Sequence, residues 1–333
     1  MTEHSDLSIE NFTIAFDKGR KVTLHIPAGK SLGLVGESGS GKSLTSRAAL
    51  GLLPKTAKVS GRIQLGEHSI LELSSRQLQR VRGAGIAMVF QDPMSALNPV
   101  ARVGESISQV IRSHETISKR DANSRAVALI ERVGIRDARA RASSFPHEFS
   151  GGMRQRIMIA MALASKPQIL VADEPTTALD VIVQKDILNL LDELRREEGM
   201  GMLLVSHDLA VVATMCSHIA VMYAGQIVEE GPTKDVLAHS RMPYTIGLLA
   251  STRRDKSHNR LTSIPGAPPP LSESISSCRF APRCPLATDA CRLAPVELVE
   301  VRPGHKVRCI RTEEASSLRS SDFEKLEQEA AHG

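Results

Sequence analysis

The sequence has no tryptophan, and aromatic residues make up only 3% of its 333 residues. It has no run of about 18 or more apolar residues, so we predict no transmembrane helix. The N-terminal residues 1–6 are polar and do not form the apolar core of a signal peptide. We therefore expect a protein of the cytosol, where cysteines stay reduced.

A cluster of charge of one sign is also missing. The chain carries 42 Lys and Arg against 37 Asp and Glu, and the resulting net charge of +5 is spread along its length. A nucleic-acid-binding surface would combine a basic face with stacking aromatic side chains, and the sequence offers neither. We expect no nucleic-acid partner. The length is sufficient for one large domain or two modest ones with a sizeable core.

A glycine-rich segment lies between a predicted strand at 31–35 and a predicted helix at 44–50. The segment reads Gly36-Glu37-Ser38-Gly39-Ser40-Gly41-Lys42-Ser43, which has the spacing of a P-loop. Glycines allow backbone N–H groups to approach phosphate oxygens, and the following helix N-terminus adds partial positive charge. The pattern predicts a nucleoside triphosphate site. Lys42 would contact the β- and γ-phosphates, and the Ser43 hydroxyl would bind Mg²⁺.

Three other predicted strands end on polar residues. These residues are Gln91 after strand 86–90, Asp173 and Glu174 after strand 168–172, and His207 after strand 202–205. Sheets of α/β proteins bind ligands beyond the carboxyl ends of their strands, so we expect these side chains to meet.

The chemistry of these side chains suits hydrolysis of a triphosphate. Adjacent carboxylates at the end of a buried strand repel each other unless a cation lies beside them. We expect Asp173 to bind Mg²⁺ together with Ser43 and Gln91, and Gln91 also to contact the attacking water. Glu174 would orient and activate that water, and His207 would contact the γ-phosphate and hold Glu174 in line.

Two further positions are candidates for contacts with nucleotide. Ser150, Gly151 and Gly152 begin a predicted helix over 157–164, which makes a second anion-binding terminus or a simple Ser N-cap. Phe16 ends a predicted strand over 7–16, where its ring would stack on adenine or pack within the sheet.

Taken together, these residues resemble an ABC-transporter ATPase from residue 7 to about residue 235. The resemblance identifies the motifs as Walker A (Gly36 to Ser43), the Q-loop (Gln91), the signature (Ser150, Gly151, Gly152, Gln155), Walker B (Ile169 to Asp173, with Glu174), the D-loop (Ala178-Leu179-Asp180) and the switch histidine (His207). Phe149 stands where the family usually has Leu, and we expect little effect from this difference.

The resemblance implies an α/β fold of the P-loop NTPase type, with an antiparallel β subdomain and a helical insertion at about 98–164. It also implies that two ATPase domains dimerise head to tail. The signature of one domain would then contact the γ-phosphate bound by Walker A of the other. A partner chain would complete the site.

Four of the five cysteines lie close together near the C-terminus, spaced C-x5-C-x6-C-x17-C at Cys278, Cys284, Cys291 and Cys309. In a cytosolic protein this clustering favours a metal centre over disulfides. Four thiolates suit zinc or an iron–sulfur cluster, although the spacing is not that of a zinc ribbon. We interpret Cys216 as a packing residue and expect His305 at the surface.

This region resembles the tail of the dipeptide/oligopeptide/nickel importer ATPases. The resemblance extends to Met242-Pro243-Tyr244-Thr245 and to the proline-rich segment 264–270. In that family such cysteines are associated with a [4Fe–4S] cluster; zinc and an unligated set remain alternatives. We expect an ATPase domain over 1–235, a small cysteine-containing domain over 236–311 and a flexible polar tail over 312–333. That tail would hold at most a short exposed helix at 322–331.

The resemblance implies the ATP-hydrolysing subunit of an importer, using ATP and Mg²⁺, with di- and oligopeptides as cargo; nickel chelates or another small solute are the alternative. Its partners would be a homologous ATPase subunit in a heterodimer, two transmembrane permease subunits and an extracytoplasmic solute-binding protein. It would be a peripheral protein on the cytoplasmic face of the bacterial inner membrane.

Three rival functions fit the sequence less well. An ABC ATPase of DNA repair or translation would need a second cassette, a long coiled coil or a basic arm, and none is visible. The C-terminal region from Met242 to Cys309 argues against an exporter. The presence of Glu174 and His207 argues against a regulator that has lost catalysis.

Overall fold

The computed structural model describes residues 5–15, 21–54, 56–177, 179–252, 264–270, 277–319 and 321–323. The strands of this part are β1 (Leu7–Ala15), β2 (Lys21–Ile26), β3 (Ser31–Val35), β4 (Lys58–Leu65), β5 (His68–Ser69), β6 (Ile86–Val89), β7 (Ile169–Asp173), β8 (Gly201–Ser206), β9 (His218–Tyr223), β10 (Gln226–Pro232), β11 (Val299–Arg302) and β12 (His305–Val307). They form two sheets.

The α-helices are α1 (Lys42–Ala49), α2 (Ser75–Ala84), α3 (Pro93–Ala96), α4 (Val103–His114), α5 (Lys119–Arg132), α6 (Ala138–Arg141), α7 (Gly151–Leu163), α8 (Val181–Glu198), α9 (Leu209–Met215), α10 (Thr233–His239), α11 (Pro243–Thr252), α12 (Ala290–Leu293) and α13 (Thr312–Ala315). Short 3₁₀ helices lie at Ile70–Glu72, Pro146–Glu148 and Ala281–Arg283. None of the helices among the described residues is both long and apolar enough to cross a membrane.

The larger sheet has the strand order β11-β12-β10-β9-β3-β8-β7-β6. Strands β9, β3, β8, β7 and β6 pair in parallel, whereas β10, β12 and β11 are added by antiparallel pairing. The carboxyl ends of the parallel strands therefore lie along one edge. The segments that follow β3, β6, β7 and β8 meet there, which is what the sequence predicts.

Both faces of the parallel sheet are buried, and β8 illustrates this. Met202 and Leu204 pack into the helical side of the core, while Leu203 and Val205 pack into the other side; all four are 0% exposed. A strand buried on both faces needs apolar residues at every position, which explains its unbroken apolar run.

Different layers cover the two faces. A four-stranded antiparallel sheet, in the order β2-β1-β4-β5, and α1 contribute to the core on one face. Helices α4, α5, α7, α8 and α9 contribute to the core on the other. The predicted fold class, a P-loop α/β fold with an antiparallel β subdomain and a helical segment within 98–164, is confirmed.

Strands β9 and β10 form an antiparallel hairpin, but this hairpin does not end the sheet. Strand β12 pairs with β10, with Glu229 opposite Val307, and β11 then pairs with β12. The C-terminal region thus continues the sheet of the ATPase core. The proposed boundary near residue 235 stays a prediction. The expectation of a loose, exposed tail is wrong for its first part, because Thr312–Ala315 form α13 and the side chains of Ala315 and Phe323 are 0% exposed. Residues 324–331 of the predicted tail helix lie outside the described part.

The expectation that His305 lies at the surface is wrong. Its side chain and that of Glu229 are both 0% exposed, and His305 Nε2 lies 2.9 Å from Glu229 Oε1. Glu229 also accepts hydrogen bonds from the Ser240 hydroxyl (2.7 Å) and the Arg241 backbone N–H (2.8 Å). His305 lies on β12, an internal strand between β10 and β11, and its side chain is buried against Glu229 of β10.

Candidate nucleotide-binding site

The loop between β3 and α1 has the backbone that close approach to phosphate requires. A Cβ on Gly36 would lie 2.1 Å from the Met222 carbonyl oxygen, so no other residue fits there. Gly41 caps the N-terminus of α1 with a φ of 106°, a conformation that glycine adopts without strain. The loop thus has the glycine conformations that allow backbone N–H groups and the helix N-terminus to approach a phosphate.

Lys42 lies inside this loop. It is 4% exposed, and its Nζ donates to the carbonyl oxygens of Gly36 (2.7 Å) and Glu37 (3.0 Å). Burial lowers the pKa of Lys42, opposed by the charges of Glu174, Asp173 and Glu37. A buried ammonium that donates to two carbonyl oxygens is well suited to receive phosphate oxygens in their place.

Two of the three predicted magnesium ligands are in contact. The Ser43 hydroxyl donates a 2.9 Å hydrogen bond to Asp173 Oδ1, and Asp173 is only 2% exposed. Burial raises the pKa of Asp173, and the bond from Ser43 partly offsets that rise. Hydroxyl and carboxylate oxygens are the ligands that Mg²⁺ prefers. The third, Gln91, is exposed and contacts Glu174 instead.

Three polar side chains converge on one oxygen of Glu174. Oε2 of this residue accepts from Gln91 Nε2 at 3.2 Å and from the Thr177 hydroxyl at 3.0 Å, and it lies 3.4 Å from His207 Nδ1. The predicted set of Gln91, Glu174 and His207 is thus brought together at one carboxylate.

The backbone of Glu174 is held in a left-handed conformation, with a φ of 47°. Its N–H donates to the Val205 carbonyl at 3.0 Å, which ties it to the neighbouring strand β8. Non-glycine residues in this conformation are strained and are found preferentially at functional sites.

The sequence did not predict a role for Thr177. Its only signal in the sequence is a hydroxyl three residues after a strand-ending Glu.

The signature residues divide between surface and interior. Ser150 caps α7, its hydroxyl accepting from Met153 N–H at 3.4 Å, and Ser150 and Gly151 are exposed. Gln155 is 2% exposed, and among the described residues its Nε2 has no hydrogen-bond partner. Its side chain is therefore buried, whereas Ser150 and Gly151 are accessible at the start of the helix.

The remaining predicted positions lie near the start of α8 or outside the described residues. Asp180 caps α8 by accepting from the N–H groups of Ile182 (3.1 Å) and Val183 (3.0 Å). Ile182 is 75% exposed. Phe16 and Ala178 lie outside the part of the chain that the structure describes, so their predicted roles stay predictions.

The four C-terminal cysteines line a single pocket, together with apolar residues such as Phe280. Burial raises the pKa of the Cys278 thiol, and it raises those of Cys284 and Cys309 to about 12 and about 11.

One of these sulfurs, Cys309 Sγ, accepts a hydrogen bond from the Arg311 backbone N–H at 3.3 Å. Even so, no group of three or more His, Cys, Asp or Glu side chains within the described ranges is arranged to hold a metal ion. Cys216 lies apart, 6% exposed in the core, as predicted.

Comparison with known proteins agrees with this geometry. Residues 20–177 match the family model described as "ABC transporter", and residues 228–291 match "Oligopeptide/dipeptide transporter, C-terminal region". The chain is 46% identical over 314 residues to the "Oligopeptide transport ATP-binding protein OppD" of Mycobacterium tuberculosis, an alignment that covers 93% of this chain and 51% of that protein. The chain thus spans about half the length of its mycobacterial relatives.

Other relatives are closer to it in length. The chain is 46% identical over 301 residues to the "Probable peptide ABC transporter ATP-binding protein y4tR" of Sinorhizobium fredii, which covers 89% of this chain and 90% of that one. Against OppD of Escherichia coli it is 46% identical over 285 residues, covering 85% and 84%.

Solved structures show the same fold. CbiO1 from Clostridium perfringens, part of the ABC transporter complex cbiONQ, matches with a TM-score of 0.61 at 27% identity, covering 71% of this chain and 92% of that one. The ATP-binding cassette MJ0796, a dimer bound to ADP and Pi, matches with a TM-score of 0.60 at 26% identity, covering 68% and 98%. The chain belongs to the family of ABC transporter ATP-binding proteins, in the group that carries the oligopeptide/dipeptide transporter C-terminal region.

Proposed function

We propose that this protein is the ATP-hydrolysing subunit of an ABC importer for di- and oligopeptides. The observation that carries the proposal is the convergence of Gln91, Thr177 and His207 on Glu174, which directly follows the Ser43-bonded Asp173. This arrangement supplies a positioned base next to a magnesium site and a phosphate loop. The relatives named as peptide transport proteins support the choice of cargo.

Each side chain then has a distinct role in hydrolysis. Lys42 would exchange its carbonyl partners for the β- and γ-phosphates. Ser43 and Asp173 would hold Mg²⁺, with Gln91 as the third ligand, and the ion would offset the negative charge of the phosphates. Glu174 accepts the proton of the attacking water while His207 fixes the carboxylate and contacts the γ-phosphate. General-base catalysis of this kind accelerates a reaction by about 10²–10⁴-fold.

The site is completed by a second ATPase subunit. Ser150 and Gly151 are exposed at the start of α7, where free N–H groups and the helix dipole favour an anion. We propose that they contact the γ-phosphate bound by a homologous partner chain, in a heterodimer. The dimer described for the MJ0796 cassette supports this assembly.

Transport requires further partners. Two permease subunits would hold the ATPase pair at the cytoplasmic face of the inner membrane, and an extracytoplasmic binding protein would deliver the cargo. The family of transporter ATPases to which the chain belongs supports this location.

The cysteine pocket is our proposed [4Fe–4S] site, with zinc as the less favoured occupant. Cys278, Cys284, Cys291 and Cys309 match the donor set of such a cluster in number and kind. The N–H···S hydrogen bond from Arg311 favours a thiolate at Cys309, because it stabilises negative charge on sulfur. A bound cluster would cross-link the C-terminal segment through four Fe–S bonds.

Anaerobic purification tests the cluster. We expect a brown protein with about four irons and four sulfides per chain, and loss of both in Cys284→Ser but not in Cys216→Ser. Stoichiometric zinc without iron would instead establish the alternative, and protein free of both metals would overturn the assignment.

Uptake by cells tests the transport function. Deleting the gene for this chain from its native organism should abolish accumulation of a labelled tripeptide and leave ⁶³Ni accumulation unchanged. Wild-type chain should restore uptake, whereas Lys42→Ala should not. Loss of nickel uptake with normal peptide uptake would contradict the peptide assignment in favour of nickel chelates.

A further inference from the structure

We propose that Arg283, in the C-terminal region, is a positioning residue of the ATP site and acts through Glu37 of the phosphate loop. Arg283 Nη1 donates to Glu37 Oε2 at 2.7 Å, and Nη2 donates to Glu37 Oε1 at 3.0 Å. The two residues are 246 positions apart. This bidentate pair joins the cysteine-containing segment directly to the loop that receives the triphosphate.

Glu37 is held at three points. Its carboxylate binds Arg283, its backbone N–H donates to the Tyr244 hydroxyl at 2.8 Å, and its carbonyl accepts from Lys42 Nζ at 3.0 Å. Two of these three contacts come from the C-terminal region. Residues 36–37 therefore cannot shift without breaking bonds to Arg283 or Tyr244, and Lys42 is held by the same residue.

The arginine itself is fixed by its surroundings. Its side chain is 6% exposed, and it also donates to the carbonyl oxygens of Pro265 (2.8 Å) and Ile264 (3.1 Å). The guanidinium carbon lies 5.8 Å from the ring centroid of Tyr223 and 6.0 Å from that of Phe280. A guanidinium held in this way has little freedom to lose when it binds a carboxylate, unlike a surface ion pair.

Three aromatic side chains near Arg283 also connect the C-terminal region with the ATPase core. Tyr223, Tyr244 and Phe280 pack on one another with ring centroids 4.6 to 5.4 Å apart. Tyr223 ends β9 of the ATPase core, whereas Tyr244 and Phe280 belong to the C-terminal region. The contact between the two regions is thus a packed cluster behind the phosphate loop.

The expected consequence is a defect in nucleotide binding rather than in the chemical step. Arg283 contacts none of the residues around Glu174, so its loss leaves the base and the magnesium ligands in place. Without this contact, Glu37 and the phosphate loop are more mobile in the free protein. Ordering the loop when the triphosphate binds then costs more entropy, so the affinity for ATP falls. A change confined to binding raises KM and leaves kcat unchanged.

The experiment compares four chains in direct ATP-binding and hydrolysis assays: wild type, Arg283→Met, Glu37→Gln and the double variant. We expect each single variant to raise the dissociation constant for ATP and the KM about tenfold, with kcat within twofold. The double variant should be no worse than either single variant, because both remove the same contact. Arg283→Lys should fall between wild type and Arg283→Met, because it keeps the charge and loses the bidentate geometry.

Lys306→Met provides the matched control. Lys306 Nζ lies 2.9 Å from Glu230 Oε1, so this pair also fastens the C-terminal region to the core without contacting the phosphate loop. It should leave ATP affinity within twofold of wild type. The inference is overturned if folded Arg283→Met or Glu37→Gln binds ATP as wild type does, or if Lys306→Met lowers affinity equally.

This inference rests on the proposed function only in taking the site to bind ATP. Affinity is measured by titration of ATP without turnover, so a chain that binds ATP and fails to hydrolyse it contradicts the proposed function and not the role of Arg283. If Arg283→Met does not fold, Glu37→Gln, which changes one partly exposed side chain, decides the question.

Discussion

The hydroxyl of Ser43 and the carboxylate of Asp173 are joined by a 2.9 Å hydrogen bond across 130 positions of sequence. The bond connects the phosphate loop after β3 with the end of β7, two strands away in the sheet. It brings together a hydroxyl and a carboxylate, the pair of oxygens that binds Mg²⁺ in P-loop ATPases.

Asp173→Asn should therefore weaken the response to magnesium. The amide keeps the shape and loses the charge, so we expect the Mg²⁺ concentration for half-maximal hydrolysis to rise at least about tenfold. Asp186→Asn, an exposed position on α8, is the control and should leave the Mg²⁺ titration unchanged. Equal magnesium curves for wild type and Asp173→Asn would remove Asp173 from the site.

Thr177 should contribute to the placement of Glu174. Thr177→Val removes the 3.0 Å hydrogen bond to Oε2 while keeping the volume. A hydrogen bond of this kind contributes about 1 kcal/mol, so kcat should fall about fivefold with little change in KM. Thr176→Val, one residue earlier, should be close to wild type. A normal kcat in Thr177→Val would show that Gln91 and His207 suffice to hold the carboxylate.

The buried pair of His305 and Glu229 should stabilise the sheet. His305→Ala leaves a buried carboxylate without one of its three partners, so we expect the free energy of unfolding to fall by about 3 kcal/mol. Urea denaturation measures the loss. The exposed His68→Ala should cost under about 0.5 kcal/mol. An equally small cost at position 305 would mean that the pair is energetically neutral.

Cys216 should make the protein less stable at alkaline pH. Burial raises the pKa of its thiol to about 12, whereas an unfolded thiol has a pKa near about 8.5. The folded thiol keeps its proton where the unfolded one has lost it, so stability falls as the pH rises from about 8.5 toward about 12.

At pH 10 this loss amounts to about 2 kcal/mol. We expect wild type to lose that much more stability between pH 7.5 and pH 10 than Cys216→Ala does, in paired urea titrations. Parallel pH profiles for the two chains would show that the thiol ionises without unfolding.

Most of the catalytic site could be predicted because each part of it is encoded locally. The P-loop spacing is contiguous, and Gln91, Glu174 and His207 each follow an apolar strand directly. Parallel pairing then places the carboxyl ends of these strands at one edge of the sheet. The general rule that α/β sheets bind ligands at this edge therefore predicts that the three side chains meet.

What could not be predicted depends on contacts between distant positions. His305 is buried against Glu229, which lies 76 positions away, and nothing near position 305 in the sequence signals this contact. Gln155 faces inward because of how α7 packs. The contact between Arg283 and Glu37 joins two segments that are far apart in the sequence. Arg283 lies in a cysteine-rich turn and Glu37 in a P-loop. Each pattern can be explained from its own residues, so neither predicts a contact with the other.

The central claim is that Glu174 is the base of an ATP-hydrolysing site, and Glu174→Gln tests it most directly. The measurement is steady-state release of phosphate from Mg·ATP by the assembled transporter, alongside ATP binding by the same preparation. The amide cannot accept a proton from water, so we expect turnover to fall by at least about 100-fold with ATP affinity unchanged. Substantial steady-state hydrolysis by the Glu174→Gln transporter would contradict the account.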